Sequence, residues 1–193
     1  VIVAPIPFEI VAEDYSEADT PRSTGLHLGQ IISAIDKSIH GKRYPDTDNQ
    51  TRQGYFSMGF MWERFLSEVF RDTAVKKSDG VLVRPGELYL SGIAMSPDAI
   101  DLSDYALEEY KATYVSSSHE IDDTSYFWHW HVQMKCYCKA LATLTARLRV
   151  WFIVGDWKGS GPQIRAYQFQ FTQQEVDDAF QMCVNHARAE GWL

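Results

Sequence analysis

The chain has 193 residues, a formal net charge of −8, and 45% hydrophobic and 13% aromatic residues. Such a composition excludes an intrinsically disordered chain, and the length suits one domain with its own core. No apolar run reaches the roughly 18 residues of a membrane span, and the acidic total argues against a protein that coats nucleic acid through bulk positive charge.

Residues 1–24 read as irregular and acidic. The leading VIVAPIPFEIVA carries Pro5, Pro7 and Glu9 without a basic leader, so it does not read as a signal peptide. From Gly25 to His40, Leu28, Ile31, Ile32, Ile35 and Ile39 recur at helical spacing, and Gly41 is placed to stop the helix. The turn-rich KRYPDTDNQT follows, and then a second helix over 54–71 with Phe56, Phe60, Trp62, Phe65, Leu66, Val69 and Phe70 on its surface. From residue 80 the period shortens. Val81–Val83, Leu88–Ala94 and Ala106–Val115 read as strands, with turns at Arg84-Pro85-Gly86 and Ser96-Pro97-Asp98. A helix over 124–143 comes next, followed by strands at Arg147–Val154 and Gln163–Phe171. A last helix begins at Thr172, with Glu175 completing a capping box. The order ααβββαββα predicts an α/β fold, a mixed central β-sheet flanked by helices, with 1–193 as a single domain.

Charge is unevenly distributed. Segment 98–123 holds eight acids and one lysine, whereas 131–170 holds Lys135, Lys139, Arg147, Arg149, Lys158 and Arg165 against Asp156 alone. An acidic cluster loaded with divalent cations attracts phosphate, because the ions become the largest local charges. The cysteines Cys136, Cys138 and Cys183 are odd in number and lack zinc-knuckle spacing, which fits structural thiols in a reduced, cytoplasmic compartment.

The stretch 91–113 carries the chemistry. Asp98 follows a strand and a proline, and Glu109-Tyr110-Lys111 begins eleven residues later inside the next strand. Alternation puts Glu109 and Lys111 on one face and Glu108 and Tyr110 on the other. If the strands are neighbours, Asp98 and Glu109 converge and can clamp Mg2+ or Mn2+, hard ions that take oxygen ligands. Lys111 would then stand beside a metal-bound water or the charge developing on a phosphate. The plain alternative is a turn aspartate and a solvated ion pair. Gln133 and Tyr137 share a face of the following helix at i and i+4, where they can reach the same centre or simply pack. Glu63 stands on an apolar helical surface, wanting a metal or an arginine such as Arg52 or Arg64 as partner. Asp101 and Asp104 are weaker candidates for the place of Asp98. His119, His129 and His131, like Trp128, Trp130, Trp151 and Trp157, read more simply as surface or packing residues.

In order, G-F-M-W-E (59–63), S-P-D (96–98), E-Y-K (109–111) and Q-M-K-C-Y (133–137) resemble the GxxxE, PD, ExK and QxxxY motifs of one nuclease branch. That branch is the RecB-like and lambda-exonuclease-like part of the PD-(D/E)xK superfamily, which includes phage recombination nucleases. The resemblance implies a restriction-endonuclease-like core. It makes Asp98, Glu109 and the Tyr110 carbonyl metal ligands, with Glu63 as a further ligand. Lys111 is then the catalytic lysine, supported by Gln133 and Tyr137. It also suggests DNA contacts at Ser96 and at Arg22, although Gly29 stands where a serine is usual. Lys135, Lys139 and Arg147 either track backbone phosphates or simply solvate one side of a helix. With no cysteine before 136, the four-thiolate iron–sulfur cluster of some relatives is not expected.

The implied function is metal-dependent hydrolysis of DNA, as an exonuclease resecting linear duplex ends, 5′ to 3′, for recombination. A ring-like homo-oligomer and a single-strand-annealing partner protein would fit such action. The rivals are an endonuclease on the same fold and a binding module that has lost its chemistry.

Overall fold

A computed structural model describes residues 23–41, 54–55, 57–62, 64–65 and 82–193. Arg22, Glu63, the loop after residue 41, the end of the second expected helix and Val81 lie outside the described residues.

Among the described residues the strands form two sheets. In the smaller, β1 (Leu26–His27) runs parallel to β4 (Ile93–Met95), which pairs antiparallel with β3 (Leu88–Leu90). In the larger, β2 (Leu82–Val83), β5 (Ala99–Asp101), β6 (Ala106–Thr113), β7 (Thr145–Phe152) and β8 (Gln163–Gln170) lie in the order β2-β5-β6-β7-β8. Only the β6–β7 pair of that sheet is parallel, so the sheet is mixed as expected. The crossover between β6 and β7 is carried by α2 (Thr124–Leu141), and α1 (Leu28–His40) and α3 (Gln173–Ala189) pack against it.

Leu88–Ala94 is two strands rather than one. Ser91 and Gly92 both have positive φ, 51° and 80°, the conformation of a two-residue hairpin turn that matches strand twist. A Cβ at residue 92 would also stand 2.9 Å from Leu193 Cδ2, so only glycine fits there without displacement. The three residues of β5 were not expected as a strand, because Pro97 and Leu102-Ser103 leave too short a run to show a period. The strand expected at Arg147–Val154 lies two residues earlier, and α2 stops at Leu141 because Ala142 turns left-handed, φ 54°.

Other boundaries follow the local chemistry. Gly41, at φ 68°, ends α1 and its N–H reaches the Lys37 carbonyl. Thr172 and Glu175 form the capping box of α3. Alternate residues of β7, Ala146, Leu148, Val150 and Phe152, face the core with Leu107 of β6. Helix α2 is buried on two sides. Phe127, Trp130, Met134, Tyr137, Cys138 and Leu141 form one stripe, while Val132 and Cys136 point elsewhere, Cys136 toward Cys183 of α3 with sulfurs 3.8 Å apart. Burial on both sides holds α2 rigidly behind β6, so whatever α2 aims at that strand is fixed in place.

Candidate active site

Strands β4 and β5 belong to different sheets, and Ser96-Pro97-Asp98 bridges them. Asp98 is therefore held at the junction. Carried one residue past Ala99↔Glu108, the antiparallel β5–β6 register sets Asp98 opposite Glu109. Residues opposite one another in an antiparallel pair share a face, and both carboxylates line one cavity of about 790 Å³. Asp98 is oriented from the neighbouring strand: its Oδ2 accepts the Tyr110 N–H at 2.7 Å.

Glu109 is 1% exposed. Two residues along the same face, Lys111 places its Nζ 2.5 Å from Glu109 Oε1. From α2, Gln133 Nε2 donates to the Tyr137 hydroxyl at 2.9 Å, and both side chains line the cavity with Ser96. Burial, then the charge of Glu109, and also that of Asp98, push the Tyr137 hydroxyl well above its ordinary value. The Cys138 thiol is pushed up to about 12 by burial and by Glu109. Burial is the larger cause of both shifts, and the Glu109 carboxylate adds to each. Two facing carboxylates suit a hard divalent cation, to which the Tyr110 carbonyl would add a third oxygen. Among the described residues, no group of three or more His, Cys, Asp and Glu side chains is disposed to hold a metal.

The opposite face of β6 has a different purpose. Glu108, also 1% exposed, is gripped by Arg149 through Nε–Oε2 at 2.7 Å and Nη2–Oε1 at 3.1 Å. Arg147 reaches Glu108 at 3.5 Å and Asp101 at 3.0 Å, and it also pairs with Asp104. Asp101 and Asp104 are thus engaged away from Asp98. The Tyr110 ring packs with Trp62, Ala99, Ala112 and Trp151.

Lys135 and Lys139, spaced i,i+4 on α2, pair with Glu175 at 3.4 Å and Asp177 at 2.7 Å on α3, and neither lines the cavity. His131 bonds the Ile121 carbonyl, and His119 stands against Asp123 and Tyr126. Trp130 is buried, Trp128 and Trp151 are half-buried, and Trp157 is exposed.

The cavity also has walls that sequence reasoning did not assign: His27 from the end of β1, Gln30 and Ser33 from α1, and Tyr55, Gly59 and Phe60 from the helical residues within 54–65. The polar or small positions 29, 30 and 33 lie on the side of α1 away from its isoleucines. That stripe was the available signal.

The sequence matches no family model and no curated protein. Solved structures do resemble it. One is SSO0001, at 12% identity and a TM-score of 0.52, covering 93% of this chain and 82% of that one. Another is LHK-Exo, an alkaline exonuclease from Laribacter hongkongensis, in complex with dAMP, at 9% identity and a TM-score of 0.50, covering 86% and 88%. A phage related exonuclease from Haemophilus somnus 129PT gives 14% identity and a TM-score of 0.48, covering 94% and 87%. At these identities the likeness is one of fold. No helix among the described residues is long and apolar enough to cross a membrane.

Proposed function

We propose that the chain is a metal-dependent DNA nuclease of the PD-(D/E)xK type that degrades linear duplex DNA from its ends. The observation that carries this reading is the meeting of Asp98 and Glu109 in one cavity beside the Lys111 ammonium. Carboxylates from two chain segments with an amine on the same face form a compact set for phosphodiester hydrolysis. The fold shared with LHK-Exo, an alkaline exonuclease crystallised with dAMP, supports the same class.

Asp98, Glu109 and the Tyr110 carbonyl would hold Mg2+ or Mn2+. Bound there, the ion supplies Lewis acidity and a more acidic water. Lys111 contributes positive charge where the phosphate gains negative charge, and it orients the attacking water. Tyr137, kept neutral by burial and by Glu109, donates or accepts a hydrogen bond without ionising, and Gln133 fixes its hydroxyl. Ser96 lies in the cavity wall, where its hydroxyl can meet a phosphate oxygen. Resection for recombination, 5′ to 3′ polarity, a closed oligomer and a cytoplasmic site of action belong to the same proposal.

The test is incubation with end-labelled linear duplex DNA and with a covalently closed circle, each with Mg2+ or Mn2+. An exonuclease shortens the first and leaves the second intact. Cutting of the circle makes the protein an endonuclease on this fold, and no cutting of either overturns the nuclease reading.

A further inference from the structure

Near the carboxylates the cavity wall is polar, but toward the C-terminal end of β6 it becomes aromatic. Tyr55 lines the cavity and is 45% exposed. Its ring centroid lies 4.8 Å from that of Tyr114, with the planes at 54°, and Tyr114 is 37% exposed. Neither ring belongs to the buried clusters. The Tyr114 hydroxyl is 3.2 Å from Met58 Sδ. Met58 is three residues after Tyr55, hence on the same side of that helical stretch. The two rings thus brace one another, Tyr114 is also held by Met58, and both remain partly exposed to solvent. Phe60 extends the apolar wall inside the cavity.

Single exposed aromatics are ordinary. Two in contact, held by a directed bond beside a cleft that Tyr55 lines together with two carboxylates and a lysine, suit an occupant that is flat and apolar on its face. Tyr114 lies three residues past Lys111, about 10 Å along the strand. A nucleotide strand with its phosphate at Lys111 carries its neighbouring bases over that distance.

We infer that Tyr55 and Tyr114 form a stacking platform for a nucleobase adjacent to the reacting phosphate. The inference rests on the nuclease reading for the position of that phosphate. Stacking uses the π-face common to all bases, so the platform positions the strand without reading its sequence. It holds the end of the substrate in register while Asp98, Glu109 and Lys111 act on the backbone. The rings are positioning residues and touch no reacting atom.

The test uses the full chain and oligonucleotide duplexes with a single abasic site moved stepwise from the end. Wild type is expected to lose affinity at one position. Tyr114→Ala and Tyr55→Ala are expected to raise KM by about 5- to 100-fold, with kcat held within a few-fold. The same variants lose their sensitivity to the abasic position, and Tyr114→Trp restores it. Tyr114→Leu, which keeps apolar bulk under the helix, serves if alanine unfolds the chain. The alternative is that the two tyrosines latch the helical residues within 54–65 to the end of β6. A latch lowers the melting temperature and leaves the abasic response intact, which overturns the proposal. Binding measured on the Asp98→Asn variant, by anisotropy of the labelled oligonucleotide, separates this from the nuclease reading. Abasic-sensitive binding that depends on Tyr114 supports the platform even in a chain that cuts nothing. Cleavage indifferent to both tyrosines refutes the platform alone.

Discussion

The Tyr110 backbone N–H donates to Asp98 Oδ2 at 2.7 Å, so the residue between Glu109 and Lys111 sets the direction of the carboxylate that faces them. One bond from main chain to side chain thereby couples the bridge between the two sheets to the strand bearing the other acid and the amine. Because the donor is backbone, substitution of the Tyr110 side chain leaves this coupling in place.

Lys111→Ala separates catalysis from ion binding. Removing the ammonium from beside Glu109 takes away charge stabilisation of the kind worth about 100- to 1000-fold in rate. Metal binding should persist or tighten, since a competing cation has gone. Calorimetric titration with Mn2+ alongside single-turnover cleavage checks both, and loss of metal binding would contradict the role given to this residue.

Tyr137 should contribute no ionisation to the rate profile. Its hydroxyl is raised by burial and by the charge of Glu109, so it stays protonated throughout the working range. Tyr137→Phe is expected to lower the rate and to cost about 1 kcal/mol of stability from the lost bond to Gln133. It should leave the shape of the pH–rate curve up to pH 10 unchanged. A wild-type alkaline limb that disappears in the phenylalanine variant would count against this.

The arginine lattice behind the site should govern stability rather than chemistry. Arg149→Ala leaves the buried Glu108 carboxylate without its bidentate partner. The loss expected is about 2–3 kcal/mol, below that of a fully buried pair because Arg147 remains 3.5 Å away and Arg149 is partly exposed. Urea unfolding measures it, and Glu108→Gln with Arg149→Met should recover much of the loss.

Acid should weaken the same lattice. Burial opposes ionisation of Asp101, but hydrogen bonds from Ser103 and the charge of Arg147 outweigh it and hold the carboxyl below its ordinary value. The unfolded chain therefore takes up this proton first as pH falls, so the stabilisation is present above about pH 4 and is lost below it. Urea midpoints at pH 5 and pH 3 should differ less in Asp101→Asn than in wild type.

Much of this arrangement was legible in the residues. Asp98 stood out because a proline and a strand end precede it, and Glu109 and Lys111 because the two-residue period of a long strand fixes their common face. Gln133 and Tyr137 followed from helical spacing. The Ser91–Gly92 turn escaped notice because apolar residues on both sides read as one continuous run. The pairing of Glu108 with Arg147 and Arg149 depends on the parallel β6–β7 register, which no local pattern encodes. The ion pairs of Lys135 with Glu175 and of Lys139 with Asp177 were hidden for the same reason, since only the packing of α2 on α3 brings the partners close. Tyr55 and Tyr114 are 59 positions apart, and nothing in either neighbourhood announces their contact.

Degradation of end-labelled linear duplex DNA with Mg2+, compared between wild type and Asp98→Ala, bears most directly on the two acids acting as one ion-binding unit. Wild type should shorten the DNA progressively, and the variant should be slower by about 1000-fold or more while unfolding cooperatively like its parent. Undiminished Mg2+-dependent degradation by the variant would contradict the account.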